Sequence, residues 1–228
     1  MMDFKTMCQD RIKLLKQTQL FYNFTERQLQ KLAEILHEVH LQEGRIIFSK
    51  GEVGDNLYII DTGRVKISLI HPNGNELIIN IYAGGDVFGE LSLFDNLPRS
   101  ATATALTEVA ALTMSRYDYE ALMENVQGFG TSVVHILSRR LRYTTTQLEL
   151  VTLLNAYERV SLKLKQMVDA TSPNPTGEPV ILNITQQELG EMVSLSRVWI
   201  NRVLKYWEEE GLLQTKRGQI IILHLEQL

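Results

Sequence analysis

The chain has 228 residues, 44% hydrophobic and 22% charged, with a formal net charge of −4. This composition excludes a disordered or collagen-like chain, leaves room for one large or two modest globular domains, and excludes a general cationic coat for nucleic acid or anionic lipid. The single cysteine, Cys8, excludes an intramolecular disulfide, a four-cysteine iron–sulfur cluster within one chain and a cysteine-rich zinc site.

No apolar run approaches the roughly 18 residues of a membrane helix. The opening Met1-Met2-Asp3-Phe4-Lys5 has no basic segment leading into an apolar run. Together with the lone cysteine, read as a free thiol near a chain terminus, this predicts a soluble protein of the reducing cytoplasm.

In chain order, Thr25-x-x-Gln28 is a capping-box pattern, and Leu29, Leu32, Ala33 and Leu36 follow at helical spacing. His37 and His40 fall three apart on that helix. They read as surface histidines rather than metal ligands, because no carboxylate or cysteine cluster accompanies them. From Gly44 the texture changes, and eight of the 14 glycines lie between Gly44 and Gly89. Val65, Ile67 and Leu69 alternate with Lys66 and Ser68, so they should point one way in a strand. Pro72-Asn73-Gly74 is a hairpin turn, since Asn and Gly accept positive φ at low cost. Short strands with frequent turns predict a β-sandwich or jelly roll running to about Ser115.

A long helix follows. Val134, Leu137, Leu141, Thr144, Leu148, Val151 and Asn155 are spaced alternately three and four apart, a heptad seam. Such a seam pairs with its copy in a dimer or, alternatively, packs on its own β domain. Thr144 breaks the stripe, and Thr145 and Thr146 follow it. A further helix runs from Ala156 to about Ala170, and Thr171 to Pro179 is a loop holding three of the five prolines. Thr185-x-x-Glu188 opens the helix Gln186 to Val193. Ser196 caps another through about Glu210, which Gly211 ends. Leu212 to Leu223 reads as a hairpin turning near Lys216-Arg217-Gly218. Helix-turn-helix plus a β wing is an arrangement that binds DNA.

The densest pattern is Phe88-Gly89-Glu90-Leu91-Ser92-Leu93, followed by Pro98-Arg99-Ser100-Ala101. It contains the parts of a sugar-phosphate site. Gly89 lets backbone approach a ligand, and a short helix from Glu90 aims free N–H groups at an anion. Arg99 offers a planar cation and Ser100 a hydroxyl, while Glu90 is an acceptor suited to a ribose hydroxyl. The same residues also fit a plain Glu90–Arg99 ion pair beside a turn.

The segment resembles the phosphate-binding cassette of cyclic-nucleotide-binding domains. Gly44-x-x-Ile47, Gly51-Glu52, Tyr58-Ile59-Ile60 and Gly63-x-Val65 resemble the same domain. With the helix-turn-helix, residues 20–223 resemble a bacterial transcription regulator of the cyclic AMP receptor protein/FNR family. The resemblance implies an α+β fold: an N-terminal β-roll or jelly-roll domain (1–126), a dimerisation helix and hinge (127–155) and a winged helix-turn-helix domain (156–228). It implies a non-enzymatic, cytoplasmic homodimer with cyclic AMP as effector and no metal. Its partners would be double-stranded DNA and a cyclic nucleotide, and it admits RNA polymerase as a further one. A same-fold regulator with a different effector, or none, is the alternative.

Carried over by position, Glu90 would bind the ribose 2′-hydroxyl. Arg99 and Ser100 would bind the cyclic phosphate, with the backbone of Gly89 and Leu91 assisting. Thr144 and Thr145 would contact the base from the two subunits. The competing role for the Thr144 hydroxyl is a bond back to a preceding helical carbonyl. Within this family the single cysteine points away from the iron–sulfur oxygen sensors.

On the recognition helix, Arg197, Val198, Asn201 and Arg202 form the groove-facing set, and arginine can pair bidentately with guanine. Thr185, Gln186, Ser196 and Lys205 read as backbone contacts, and Lys216 and Arg217 reach phosphate from the wing. Many family members carry Glu where this chain has Val198, so the operator should differ there. Ser194 stands where the family often has glycine, which predicts modest strain if the turn needs positive φ. Trp199 and Trp207 read as core or wing-packing residues. From Tyr157 to Leu228 there are eight Lys or Arg and nine Asp or Glu, yet Arg197 to Tyr206 holds three cations and no acid. The positive sign is therefore local.

Overall fold

The computed structural model describes residues 4–171 and 179–228, so most of the predicted proline-rich loop lies outside the described residues. The chain divides into two compact units, residues 1–72 with 79–142, and residues 73–78 with 143–228.

The first unit opens with α1 (Phe4–Gln17), a helix that no cap or clean apolar period announces in the sequence. It is held by packing. Leu14 and Leu15 are buried in one cluster with Leu20, Phe21 and the apolar face of α2 (Glu26–Ile35). Cys8 is a free thiol, half-buried against this cluster. α2 carries the expected reciprocal cap: Gln28 Oε1 accepts from the Thr25 N–H at 2.8 Å, and Thr25 Oγ1 accepts from the Gln28 N–H. The helix stops at Ile35 because Leu36 turns extended. His37 and His40 therefore lie in a strand, not on a helix, and three apart in a strand they face opposite ways.

The strands that follow are β1 (His37–Leu41), β2 (Ile46–Phe48), β3 (Asn56–Thr62), β4 (Val65–Ile70), β5 (Glu76–Tyr82, whose first three residues count with the second unit), β6 (Val87–Phe88), β7 (Thr102–Ala105) and β8 (Val109–Ser115), with the short helix α3 (Leu91–Asp95) between β6 and β7. They form two sheets, ordered β1-β8-β3-β6 and β2-β7-β4-β5. Successive residues Ile59 and Ile60 of β3 are both fully buried, in different clusters. Ile59 joins the helices, and Ile60 joins Phe48, Val65, Phe88 and Ala103 between the sheets. This strand is thus covered on both faces, the layered arrangement of a β-roll. The alternation expected in β4 brings Val65 and Ile67 to one cluster, but the opposite face is not simply polar and exposed. Val65 and Ser68, of opposite parity, are buried, while Ile67 and Leu69 are only half-buried. Ser68 pairs across the sheet with Thr102, also buried, so small residues fill the side of this sheet where a polar face was expected.

α4 (Arg116–Asn125) starts on a Ser115–Asp118 capping box, and α5 (Phe129–Leu153) is the long helix. α5 buries Phe129, Val133 and Ile136 in the core of its own domain. The seam residues Val134, Leu141 and Leu148, seven apart, stay 61%, 69% and 61% exposed. These three therefore lie off the face that holds the β domain, whereas Leu137, also in the seam, is half-buried against that core.

The second unit contains α6 (Ala156–Thr171), β9 (Val180–Leu182), α7 (Gln186–Val193), α8 (Arg197–Glu209), β10 (Leu213–Lys216) and β11 (Gln219–Ile222). Asn155 leaves the seam to cap α6. Its Oδ1 accepts from the Tyr157 and Glu158 N–H groups at 3.0 and 3.1 Å, and Glu158 Oε2 accepts from the Asn155 N–H at 2.8 Å. The wing hairpin forms as expected and gains a third strand, in the order β10-β11-β9. Lys163 on α6 is almost fully buried and donates to Tyr143 Oη at 2.9 Å; burial pulls its ammonium down to about 8.

The turn between α7 and α8 is tight. A Cβ on Gly190 would stand 2.8 Å from the Leu195 carbonyl oxygen, so glycine is required for the helices to approach. Ser194 sits at φ +54°, ψ 43°, in the left-handed region. A side chain there costs about 1 kcal/mol, so Ser194→Gly should raise stability by about 0.5–1 kcal/mol and the melting temperature by a few degrees. A thermal melt with no gain would contradict this.

Candidate functional site

The cassette residues meet where β6 leads into α3. Gly89 has φ +76°, and a Cβ there would stand 2.8 Å from Arg99 Nη1 and 3.2 Å from the Phe48 ring. Both the backbone conformation and the space demand glycine. Glu90 immediately precedes α3 and is completely buried.

Glu90 and Arg99 do not form the simple ion pair that the motif also allows. Arg99 Nη1 donates to the Gly89 carbonyl and Nη2 to the Asn56 carbonyl at 2.8 Å, with the guanidinium 4.1 Å from the Phe48 ring centroid. Glu90 pairs instead with Arg140 of α5. Arg140 Nη1 donates to Glu90 Oε1 and Nη2 to the Val87 carbonyl, and the guanidinium lies 5.2 Å from the Tyr82 ring centroid. Burial raises the Glu90 carboxyl above the usual carboxylate range, with Arg140 pulling it back. Burial likewise lowers the Arg99 guanidinium, against the pull of Tyr58 and Glu90. An arginine remains protonated at neutral pH all the same.

Two atoms are left over. Glu90 Oε2 and Arg99 Nε are buried and have no hydrogen-bond partner within the chain. Each such atom costs about 1–3 kcal/mol until it is satisfied. An acceptor-only carboxylate and a cationic donor complement a sugar hydroxyl and an anionic phosphate. Ser100 is exposed and Leu91 half-buried, and on α5 Thr144 and Thr145 are both exposed.

Arg116, just after β8, braces the cassette from outside. Its Nη2 donates to the Gly54 and Ser92 carbonyls, both at 2.9 Å, and its Nη1 donates to Asn96 Oδ1. Neither Arg116 nor Arg140 belongs to a local motif. In sequence Arg140 is one of three arginines, with Arg139 and Arg142, and only the tertiary fold selects it.

In the second unit the expected caps are in place. Thr185 Oγ1 accepts from the Glu188 N–H at 3.1 Å, and Ser196 Oγ accepts from the Trp199 N–H at 3.4 Å. α8 buries Ile200, Val203, Leu204 and Trp207, leaving Arg197, Val198, Asn201, Arg202 and Lys205 exposed. Arg197 shares a groove of about 480 Å³ with Thr185, Gln186 and the wing residues Lys216 and Arg217. The structure thus gathers hydroxyl, amide and cationic groups from three elements. Glu208 ties the wing to α8: its Oε1 accepts from the Thr215 N–H at 2.8 Å and from the Thr215 hydroxyl at 3.1 Å. Lys205 lies 3.7 Å from Glu209, a solvent-exposed pair of little energetic weight. Trp207 is a core residue as expected, but Trp199 is not: it is 42% exposed, because its position in the first turn of α8 falls outside the buried stripe.

Residues 38–126 match the cyclic nucleotide-binding domain, and residues 152–228 match the Crp-like helix-turn-helix domain. The chain is 30% identical over 217 residues to a CRP-like cAMP-activated global transcriptional regulator of Mycobacterium tuberculosis, covering 95% of this chain and 97% of the relative. It resembles the crystal structure of the Thermus thermophilus catabolite activator protein, with a TM-score of 0.55 and 26% identity, covering 92% and 96% of the two chains. It also shares its fold with the c-di-GMP responsive global regulator CLP of Xanthomonas campestris, with a TM-score of 0.73 and 21% identity, covering 85% and 97%.

Proposed function

Given that the chain belongs to the cyclic AMP receptor protein/FNR family of transcription regulators, we propose that it is a cytoplasmic homodimer whose grip on DNA is set by a cyclic nucleotide, cyclic AMP. The observation that carries this reading is the pair of unsatisfied buried atoms, Glu90 Oε2 and Arg99 Nε. A ribose hydroxyl donating to the first and a cyclic phosphate accepting from the second would satisfy both. Gly89, Leu91 and Ser100 would complete the phosphate cradle.

The same carboxylate is joined to α5 through Arg140. A ligand that engages Glu90 therefore alters the load on the helix that carries Thr144 and Thr145, the proposed base contacts. The exposed stripe of Val134, Leu141 and Leu148 supports pairing of that helix with its copy. In this scheme residues 1–126 sense, residues 127–155 dimerise and hinge, and residues 156–228 bind DNA. The ligand acts by favouring the dimer state whose two α8 helices fit successive major grooves, which requires tighter binding to that state than to the other. RNA polymerase is a further partner of the DNA-bound dimer.

Calorimetric titration with cyclic AMP, cyclic GMP and cyclic di-GMP tests the effector, and selection from random duplexes tests the output. Cyclic AMP should bind tightest, and selection should recover an inverted repeat with half-sites about 10–10.5 bp apart. Preference for another of the three would replace the effector, and binding of none would overturn it. Recovery of no inverted repeat would overturn the dimeric readout.

A further inference from the structure

We propose that Trp199 is a positioning residue for base readout: its indole holds the Arg202 guanidinium against the exposed face of α8, so discrimination at the base pair read by Arg202 depends on a neighbour that need not touch that base. This rests on the reading of α8 as the recognition helix.

Trp199 leaves a large apolar ring 42% exposed on the first turn of α8, whereas Trp207 on the same helix is buried. Arg202 lies three residues on, a spacing that stacks side chains on one helix face. Its guanidinium carbon is 5.0 Å from the Trp199 ring centroid, within reach of a cation–π contact. Among the described residues this ring is the partner of Arg202; no carboxylate bridges to it. Lys205, by contrast, has Glu209 at 3.7 Å. The arginine is therefore held by a planar face and not neutralised by an acid, so it keeps its full charge and all its donors for DNA.

Bidentate reading of guanine needs a guanidinium plane presented at one angle. An unrestrained arginine must freeze several torsions to achieve that angle, and a pre-ordered one loses less on binding. The indole face supplies the ordering, and it does so without closing off the fork of N–H donors.

The test compares the parent with Trp199→Ala, Trp199→Phe, Arg202→Ala and the Trp199→Ala/Arg202→Ala double variant. Each is titrated with the selected inverted repeat, with the repeat altered at the base pair whose discrimination Arg202→Ala removes, and with random duplex, at two salt concentrations. Trp199→Ala should lose about two- to fivefold of that discrimination per half-site, the strength of an exposed cation–π contact. Binding to random duplex and the salt slope should not change. Trp199→Phe should recover most of the loss, and Trp199→Ala should add nothing once Arg202 is gone.

Full discrimination by Trp199→Ala, equal weakening on every duplex, or an effect that persists in the Arg202→Ala background would each overturn the proposal. A parent that discriminates while Arg202→Ala changes no base preference would overturn it alone, leaving α8 as the DNA-binding element. A parent that selects no sequence would overturn the proposal and the assignment of α8 together.

Discussion

Arg99→Ala should weaken cyclic AMP binding by about a hundredfold or more, measured calorimetrically against the parent. Truncating one partner of a buried charged contact costs about 2–5 kcal/mol, and each 1.4 kcal/mol is tenfold in affinity. Arg99 is buried on the Phe48 ring and fixed by two backbone carbonyls, and its Nε is buried without a hydrogen-bond partner. Its orientation is thus set before any phosphate arrives. Arg99→Lys keeps the charge but loses the planar fork, and should fall between alanine and the parent. Affinity within threefold of the parent for Arg99→Ala would remove the phosphate assignment.

Arg140→Ala should cost about 3 kcal/mol of stability at neutral pH, because it leaves a buried carboxylate without its cation. The Glu90 side chain is 0% exposed and that of Arg140 26%, so solvent repays little of the loss. The pH dependence has a definite sign. The Glu90 carboxyl is already raised in the folded protein, and losing Arg140 raises it further. A carboxyl with a raised folded pKa contributes stability that is fully present below its unfolded value, about 4.3, and is lost as pH rises through the folded value. The deficit of Arg140→Ala should therefore be largest at pH 7–8 and shrink towards pH 4.5. Urea unfolding of both proteins at the two pH values measures this, and a deficit that does not vary with pH would contradict it.

What the sequence reveals and what it hides follow from the range of the interactions. Caps are local, so Thr25, Thr185 and Ser196 mark their helices, and the left-handed Ser194 follows from its place in a tight turn. The cassette is legible because Gly89, Glu90, Arg99 and Ser100 fall within twelve residues. Arg140 is fifty residues from Glu90, and nothing in its own helix distinguishes it from Arg139 or Arg142. Arg116 is equally silent, since its partners are backbone carbonyls that carry no sequence signature. β9 is only three residues long and exists through pairing with β11. His37 and His40 read as helical because they directly follow the apolar period of α2, whereas pairing with β8 makes the segment a strand. Ser68 shows the converse: alternation predicts a polar face only where a strand is covered on one side. For Trp199, size and apolarity suggest a core residue, but the position in α8 decides exposure.

Fluorescence anisotropy of a labelled inverted-repeat duplex, titrated with the protein at fixed ionic strength with and without saturating cyclic AMP, joins the two halves of the molecule in one number. An effector that couples sensing to DNA binding should tighten the complex by about 5–150-fold, the usual span of allosteric coupling. The gain should disappear in Arg99→Ala, while the ligand-free affinity of that variant should match the parent's. Equal affinity with and without nucleotide, in a protein that binds both ligand and DNA, would show that the cassette does not govern the recognition helices.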